Sequence, residues 1–357
     1  MAVGCSPRAR VQFAYVGDGI NNVRTYTVDP TSGALALLAN PAGYTFISGG
    51  CVAVDPAGKF AFGTSDLDGT LWAYSIDATS GALTPVRGTP LAGGANGGEM
   101  AVDPTGKFLY AANGTTASVS AYSIDATSGA LTPVTGSPFA AGRHPESIAA
   151  DPSGKFLYVV NYNSSDVSAY TINASSGALT QVAGSPFRAG SNPADLAIDP
   201  SGKFVYVPNG GAKSGVETHR VNSDTVSAYA IDATSGALTE VAGSPFRAGG
   251  FPGNPVIDPT GKFIYVVNGD DNTVSAYTID ATSGALTPLA GSPFAVPRGS
   301  GALAIEAAGK FAYLSNFDSN NIFAYAIDPS SGALKPVAGS PFAPETEAGC
   351  ITFARPK

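Results

Sequence analysis

Short hydrophobic runs, each closed by a tight-turn sequence, repeat along nearly the whole chain. In the copy that spans residues 143–187, a run of small and apolar residues leads into the turn Asp-Pro-Ser-Gly, and the run KFLYVVN follows. A polar loop, the run VSAYTI, a second turn and a fourth short run complete the copy. Proline presets the first turn, glycine tolerates its left-handed position, and β-branched and aromatic residues favour strands. Each copy therefore predicts four antiparallel strands.

The spacing of the copies predicts the architecture. The second turn reads Ser-Gly-Ala-Leu in every copy, and successive copies lie 48 residues apart except for one gap of 59. These turns begin at Ser32, Ser80, Ser128, Ser176, Ser235, Ser283 and Ser331. A period of about 40 to 50 residues with four strands is typical of a propeller blade. The sequence therefore predicts an all-β fold, a seven-bladed β-propeller with four antiparallel strands per blade.

The two ends of the chain are predicted to share one blade. Residues 10–40 align with the second, third and fourth strands of a copy but lack the innermost strand, whereas residues 349–354 align with the innermost strand at 50–55. A C-terminal strand that completes the N-terminal blade closes the ring and removes open sheet edges. We therefore expect one propeller domain over residues 10–357 and a flexible N-terminus over residues 1–9.

Charge and hydropathy narrow the function. The net charge is −8, but eleven of the 27 acidic residues fall in the two turn types, where their side chains cap backbone N–H groups. The lysines occur largely at one turn position per copy and form no basic stripe, which argues against nucleic acid as a partner. No apolar run approaches the roughly 18 residues of a transmembrane helix. A monomer without a cofactor is expected.

The cysteines suggest a location and a crosslink. Residues 1–6 (MAVGCS) resemble the end of a bacterial lipoprotein signal, with Cys5 as the lipid acceptor, although a disordered terminus explains them equally well. Together these features suggest an extracytoplasmic protein. Cys51 and Cys350 occupy equivalent positions on neighbouring innermost strands, where a disulfide would tether the C-terminus. Bridging requires Cα atoms within about 7 Å, and adjacent inner strands could lie beyond that limit.

One face of the propeller is predicted to carry the binding site. The loop that leads into each innermost strand, here called the leading loop, lies on the same face as the loop between the second and third strands. The Asp-Pro and Ser-Gly-Ala-Leu turns lie on the opposite face and barely vary, whereas the leading loops differ between blades, as binding loops on a rigid scaffold do. On this face the leading loops surround the mouth of the central channel. The candidate ligand-binding residues at the mouth are Glu99, Arg143, His144, Glu146, Asn192, Asp195 and Arg298.

An insertion in the fifth blade could extend this site. Residues 210–222 interrupt the repeat between the second and third strands, and they contain Glu217, His219 and Arg220. Histidine with carboxylate permits acid–base chemistry or metal ligation, and arginine suits an anionic ligand. A solvated rim of ordinary polar residues is the alternative interpretation.

The repeat also resembles a known family. Residues 145–161 (PESIAADPSGKFLYVVN) are similar to the YVTN-type propeller repeats and to the related lactonase family, which includes propeller 6-phosphogluconolactonases and carboxymuconate cyclases. The resemblance covers all seven blades and implies lactone hydrolysis. Members with that activity carry a His-Pro-His run, a Gly-Pro-Arg-His run one blade later, and Asn-Glu at the end of the next strand.

This chain departs from each of those motifs. The first run reads His144-Pro145-Glu146, the second reads Asn-Pro-Ala-Asp at residues 192–195, and the strand ends in Asn209-Gly210. Relative to the family pattern, the guanidinium and carboxylate that would stabilise the oxyanion and activate water are therefore missing.

Three functions follow from these observations. The leading hypothesis is a propeller that binds a small polar or anionic ligand or a protein at the mouth, without chemistry. The alternative is a hydrolase of a sugar lactone or related lactone, with Glu146 or His144 as general base and Arg143 or Arg298 on the anion. The third is a structural surface protein.

Overall fold

Two kinds of acid-capped turn set the shape of each blade. The computed structural model describes residues 12–17, 23–38, 52–64, 69–91, 98–210, 223–342 and 349–354. In the first turn of the fourth blade, the buried Asp151 carboxylate accepts hydrogen bonds from the backbone N–H groups of Ser153, Lys155 and Phe156 at 3.0, 2.8 and 2.7 Å. In the seventh blade Glu306 does the same for Ala308 and Lys310 at 2.6 and 2.7 Å. The longer acid therefore preserves the turn.

The strands between these turns form seven antiparallel sheets. From the channel outward, blade 1 consists of Ile351–Ala354, Gln12–Gly17, Val23–Val28 and Leu35–Leu37, and blade 2 of Ala53–Val54, Phe60–Thr64, Leu71–Ile76 and Leu83–Pro85. Blade 3 consists of Met100–Val102, Phe108–Asn113, Ser118–Ile124 and Leu131–Pro133, and blade 4 of Pro145–Ala150, Phe156–Asn161, Asp166–Ile172 and Leu179–Gln181. Blade 5 consists of Ala197–Ile198, Phe204–Asn209, Thr225–Ile231 and Leu238–Glu240. Blade 6 consists of Pro252–Ile257, Phe263–Asn268, Thr273–Ile279 and Leu286–Pro288, and blade 7 of Ser300–Ile305, Phe311–Asn316, Asn321–Ile327 and Leu334–Pro336. The predicted fold class is confirmed.

The outer strand is more irregular than the sequence predicts. In blades 3 to 6 the chain leaves the fourth strand, passes a cis Ser-Pro bond and pairs again with the other end of the third strand. These additional strands are Phe139–Ala140, Phe187–Arg188, Phe246–Arg247 and Phe294–Ala295. The Ser-Pro-Phe sequence therefore divides the outer edge in two rather than ending the blade.

One phenylalanine and one glycine lock each blade to the next, and a tyrosine adds a hydrogen bond in every blade except blade 2, where Phe62 takes its place. Gly177, at a φ of 74° in the outer turn of blade 4, lies so close to Phe108 of blade 3 that an added Cβ would come within 2.4 Å of the ring. The hydroxyl of Tyr110 donates to the Gly177 carbonyl at 3.0 Å. Only glycine allows both the left-handed backbone and the close approach of the ring. Packing between blades therefore explains why this glycine recurs in every copy.

The same contacts close the ring. The C-terminal strand pairs with the strand at residues 12–17, with Phe13 opposite Ala354 and Val16 opposite Ile351. The Tyr313 hydroxyl of blade 7 donates to the carbonyl of Gly33 in blade 1 at 2.9 Å. The predicted closure is confirmed. Within the described ranges there is no helix long and apolar enough to cross a membrane.

Candidate functional site

The leading loop of blade 4 is held by the loop between the second and third strands of its own blade. The carbonyls of Arg143 and His144 accept hydrogen bonds from the N–H groups of Asn163 and Tyr162 at 3.1 and 2.9 Å. His144 adopts a left-handed backbone, with a φ of 58°, and the corresponding residues of the next three blades also have positive φ. Those residues are Asn192, Phe251 and Gly299. The two loops therefore share one face, as predicted, and the loop shape repeats while the side chain varies.

A β-bulge places Glu146 at the mouth of the channel. In the pairing of residues 145–150 with residues 156–161, the register shifts between Pro145 and Ser147, so Glu146 is the extra residue. Its carbonyl accepts a hydrogen bond at 2.7 Å from the N–H of Glu99 in the neighbouring blade. Bulges redirect side chains and are frequent beside active sites.

A chain of hydrogen bonds runs around the mouth from blade 3 to blade 7. The buried Ser147 hydroxyl lies 2.7 Å from a carboxylate oxygen of Glu99 and 2.7 Å from one of Asp195. Asp195 also accepts hydrogen bonds from the N–H of Leu196 at 2.6 Å and from the Asn254 side chain, and the Asn254 oxygen accepts one from the N–H of Leu303. Blades 3 to 6 therefore each contribute one side chain to this network, and blade 7 contributes a backbone N–H group.

This geometry fixes the number of protons in the network. A serine hydroxyl has one hydrogen to donate, so only one of the two carboxyl groups can accept it. The other contact requires a proton on the second carboxyl group, which then donates to the serine oxygen. Burial raises the pKa of both Glu99 and Asp195, and the charge of Asp195 raises that of Glu99 further. The pair thus holds a proton at neutral pH.

Glu146, His144 and Tyr162 form the more accessible part of the site. Burial, together with the charge of Asp195, raises the pKa of Glu146 to about 7, although 35% of its side chain remains exposed. The His144 Nε2 atom lies 4.0 Å from a Glu146 carboxylate oxygen, and the His144 ring meets the Tyr162 ring edge-on with centroids 6.0 Å apart. A carboxyl group that titrates near neutrality at an open mouth is suited to accept a proton from water.

The predicted arginines lie at the edge of this site. The Arg143 side chain is exposed and donates to the Asn163 carbonyl at 3.3 Å. Arg298 pairs with Asp318 at 3.5 Å, with 88% of its side chain exposed. Asn192 donates from its side chain to the Tyr162 carbonyl at 3.3 Å, which supports the loop beneath the histidine. The network thus brings together Glu99, Glu146 and Asp195, with His144 beside Glu146.

Some predictions fall on other parts of the chain. Glu217, His219 and Arg220 lie outside the described residues, as does Cys51. Cys350 is disulfide-bonded, but the pairing with Cys51 stays a prediction because Cys5 and Cys51 both lie outside the described residues. Among the residues that are described, no cluster of three or more His, Cys, Asp or Glu side chains could hold a metal ion.

Tyr162 was not among the residues predicted from the sequence. It follows the asparagine that ends the second strand, a position held by Gly114, Gly210 and Gly269 in blades 3, 5 and 6. The sequence did contain a signal for it, because an aromatic residue stands here at a repeat position where three other blades have glycine. Blade 7 has Phe317 there, packed so closely over Gly301 that a Cβ would clash with its ring.

The chain belongs to a family of propeller proteins. Residues 6–190 and 182–300 match the family described as Lactonase, 7-bladed beta-propeller. This assignment confirms the resemblance seen in the repeat, and it supports the lactone hydrolase alternative better than binding without chemistry. The comparison with curated proteins returns no match.

Solved structures show the same fold. A candidate 6-phosphogluconolactonase from Bacteroides uniformis is similar, with a TM-score of 0.81 and 16% identity over 97% of this chain and 100% of that one. A candidate 6-phosphogluconolactonase from Bacteroides fragilis has a TM-score of 0.80 and 20% identity, covering 98% of this chain and 99% of the other. The periplasmic gluconolactonase of Pseudomonas aeruginosa has a TM-score of 0.77 and 20% identity, covering 97% and 100%. At these identities the likeness establishes the fold alone.

Proposed function

We propose that this protein hydrolyses a lactone at the leading-loop mouth, with Glu146 as the general base. One observation carries the proposal: a carboxyl group whose pKa is raised to about 7 lies on a bulge at the open mouth of a lactonase-family propeller. A base of that pKa is partly ionised at neutral pH and still basic enough to take a proton from water. The sugar lactones named for the similar structures define the first substrate class to test.

The chemistry needs one water molecule and no cofactor. The Glu146 carboxylate accepts a proton as the water oxygen attacks the lactone carbonyl carbon. The tetrahedral intermediate then collapses, the ring C–O bond breaks, and the proton passes to the leaving alkoxide oxygen to give the hydroxy acid. The imidazole of His144, 4.0 Å from Glu146, is placed to orient the base.

The proton held by Glu99 and Asp195 has a role in this scheme. Two ionised carboxylates beside the reacting carbonyl would repel the oxyanion that forms there. With Ser147 bridging the pair at 2.7 Å on each side, one negative charge is removed. Glu99, Ser147 and Asp195 are therefore positioning residues, which limit the negative charge beside Glu146 to that of one carboxylate.

The test is hydrolysis of gluconolactone and its phosphorylated form, measured above the spontaneous rate. Glu146→Gln keeps the size of the side chain but cannot accept the proton, so kcat/KM should fall roughly 100-fold or more. The rate of the wild-type protein should rise with pH through about 7 as Glu146 ionises.

Glu240→Gln is the matched control, because Glu240 is an exposed glutamate on the outer strand of blade 5. It should leave kcat/KM unchanged. A wild-type protein that hydrolyses neither lactone would remove the enzymatic proposal and return binding without chemistry to first place. Full activity in Glu146→Gln would remove this residue as the base.

A further inference from the structure

Negative charge at the leading-loop mouth is concentrated next to the channel. Glu99, Glu146 and Asp195 lie on the innermost strands of blades 3, 4 and 5 or within two residues of them. Ser147, on the innermost strand of blade 4, bridges Glu99 and Asp195 at 2.7 Å on each side. Carboxyl groups from three successive blades therefore form the inner border of the mouth.

The two arginines of the leading loops are held farther out. The Arg143 guanidinium donates to the Asn163 carbonyl at 3.3 Å, and the Arg298 Nε atom lies 3.5 Å from the Asp318 carboxylate. Asn163 and Asp318 belong to the loops between the second and third strands, and the third strand is farther from the channel than the second. Both guanidinium groups are therefore bound on the outer side of the leading loops.

The other described arginines and lysines lie on the third and outer strands or on the opposite face. Arg24 is on the third strand of blade 1, and Arg87, Arg188 and Arg247 lie on or after the outer strands of their blades. Lys335 is on the outer strand of blade 7. The remaining lysines stand in the first turns of their blades, on the face here called the Asp-Pro face: Lys59, Lys107, Lys155, Lys203, Lys262 and Lys310. Within the described ranges, no lysine therefore borders the mouth.

The inner border carries net negative charge when the base is ionised. The single hydrogen of Ser147 leaves the Glu99–Asp195 pair with one proton and one negative charge. Ionised Glu146 adds a second negative charge. His144, 4.0 Å from Glu146, offsets at most one of these charges when it is protonated.

This charge distribution distinguishes between substituents on a sugar ring. A sugar lactone is a single ring, so a substituent on it lies within about 10 Å of the carboxyl groups, the Debye length at 0.1 M salt. A phosphate group carries about −1.5 to −2 charges near pH 7, and the carboxylates repel it. A hydroxyl group at the same place donates a hydrogen bond to a carboxylate, and such charge-assisted bonds are strong.

We propose that the mouth selects uncharged, hydroxyl-bearing lactones and discriminates against phosphorylated ones. Glu99 and Asp195 are the specificity-determining residues, because their shared negative charge repels an anionic substituent. The inference rests on the proposed function for its substrate class. The selection itself is a property of binding, which can be measured without turnover.

The experiment compares two sugars that share a ring and its hydroxyl groups and lack the lactone carbonyl. Isothermal titration calorimetry at pH 8, where Glu146 is mostly ionised, gives the affinity of the full chain for glucose and for glucose 6-phosphate. At about 20 mM salt, glucose should bind at least about 10-fold tighter. Raising the salt to about 500 mM should narrow this ratio at least about three-fold through the phosphorylated sugar alone. Equal affinities, tighter binding of glucose 6-phosphate, or no binding of either sugar would overturn the proposal.

A double variant and a matched control assign the effect to the carboxyl pair. Glu99→Gln/Asp195→Asn removes the one negative charge of the pair and should narrow the low-salt ratio at least about three-fold. Asp125→Asn removes one negative charge from an exposed outer turn on the Asp-Pro face and should leave the ratio unchanged. Equal ratios in the wild type and the double variant would rule out the pair as the source of the discrimination. The wild-type salt series remains decisive even if the double variant does not fold.

Hydrolysis and selection fail in distinguishable ways. If the wild type binds glucose in preference to glucose 6-phosphate but opens no lactone, the selection stands and the enzymatic proposal falls. If it opens gluconolactone and the phosphorylated form with equal kcat/KM, and binds both sugars equally, the enzymatic proposal stands and the selection falls.

Discussion

The two faces of the ring use acidic side chains in opposite ways. On the Asp-Pro face, the carboxylate of Asp151 is surrounded by backbone N–H donors of its own turn. At the leading-loop mouth, Glu99 and Asp195 meet across one serine hydroxyl, and burial raises the pKa of each. The same residue types are satisfied structural groups on one face and proton-holding groups on the other.

The difference follows from how strictly each face repeats. A turn that supplies its own donors works in any blade, so it is copied around the ring and even tolerates Glu306 in place of aspartate. The mouth residues come from four blades, and each contributes a different side chain. A site that carries out chemistry therefore needs different side chains in different blades. The mouth positions can supply them, because they vary without loss of the fold.

The largest effect that tests this comparison is the loss of stability that we expect from Asp151→Ala, a substitution in an Asp-Pro turn. Removing the carboxylate leaves the N–H groups of Ser153, Lys155 and Phe156 without their acceptor, and at about 1 kcal/mol for each hydrogen bond the loss should total roughly 3 kcal/mol. The free energy of unfolding in urea measures it.

Asp125→Ala removes an exposed cap in an outer turn of the neighbouring blade, where water can replace the lost hydrogen bonds. Its unfolding midpoint should shift less than that of Asp151→Ala. Equal shifts would mean that burial does not distinguish the two turn types.

The regular face was predictable from sequence because one interaction explains each repeated residue. The glycine of Ser-Gly-Ala-Leu and the second-strand phenylalanine recur in all seven blades, and the contact of Gly177 with Phe108 shows why this glycine cannot change alone. The tyrosine and the Asp-Pro turn vary, to Phe62 in blade 2 and to Glu306-Ala307 in blade 7. Closure by the C-terminal strand followed from the same alignment.

The mouth was only partly predictable. In the aligned copies Glu99, Ser147, Asp195 and Asn254 fall at one repeat position, but their hydrogen bonds depend on how far each side chain reaches between blades. The bulge at Glu146 adds a residue to the register, and no local sequence signal requires it. The alignment correctly placed Arg143 and Arg298 in leading loops. It could not predict where these long exposed side chains point, because that depends on the nearby carbonyl of Asn163 and carboxylate of Asp318.

The pH dependence of stability gives a smaller effect at the mouth. A carboxyl group whose folded pKa is raised stabilises the fold below its unfolded pKa, and this contribution is lost as pH rises through the folded value. Burial raises the pKa of Glu99, so wild-type stability should decline between about pH 5 and pH 8.

Glu99→Gln removes that titration. Relative to the wild type, the variant should gain about 1 to 2 kcal/mol in unfolding free energy between pH 5 and pH 8. Glu240→Gln, on the exposed outer strand, should follow the wild-type curve. A Glu99→Gln curve parallel to the wild type would show that Glu99 is not the group that holds the proton.

The smallest expected effect is a difference in kcat/KM between substitutions of two aromatic residues, Tyr162 and Phe317, which occupy the same repeat position in blades 4 and 7. Burial raises the pKa of the Tyr162 phenol, and the charge of Glu146 raises it further. Phe317 occupies the same position in blade 7, where 52% of it is exposed. Tyr162→Gly admits water beside Glu146, lowers the pKa of this base, and should reduce kcat/KM roughly three- to ten-fold while the midpoint of the pH–rate profile moves to lower pH.

Phe317→Gly, which restores the glycine of blades 3, 5 and 6, should change neither quantity. Equal losses from both substitutions would show that the aromatic residues act only by packing their loops, and that the environment of the base does not depend on Tyr162.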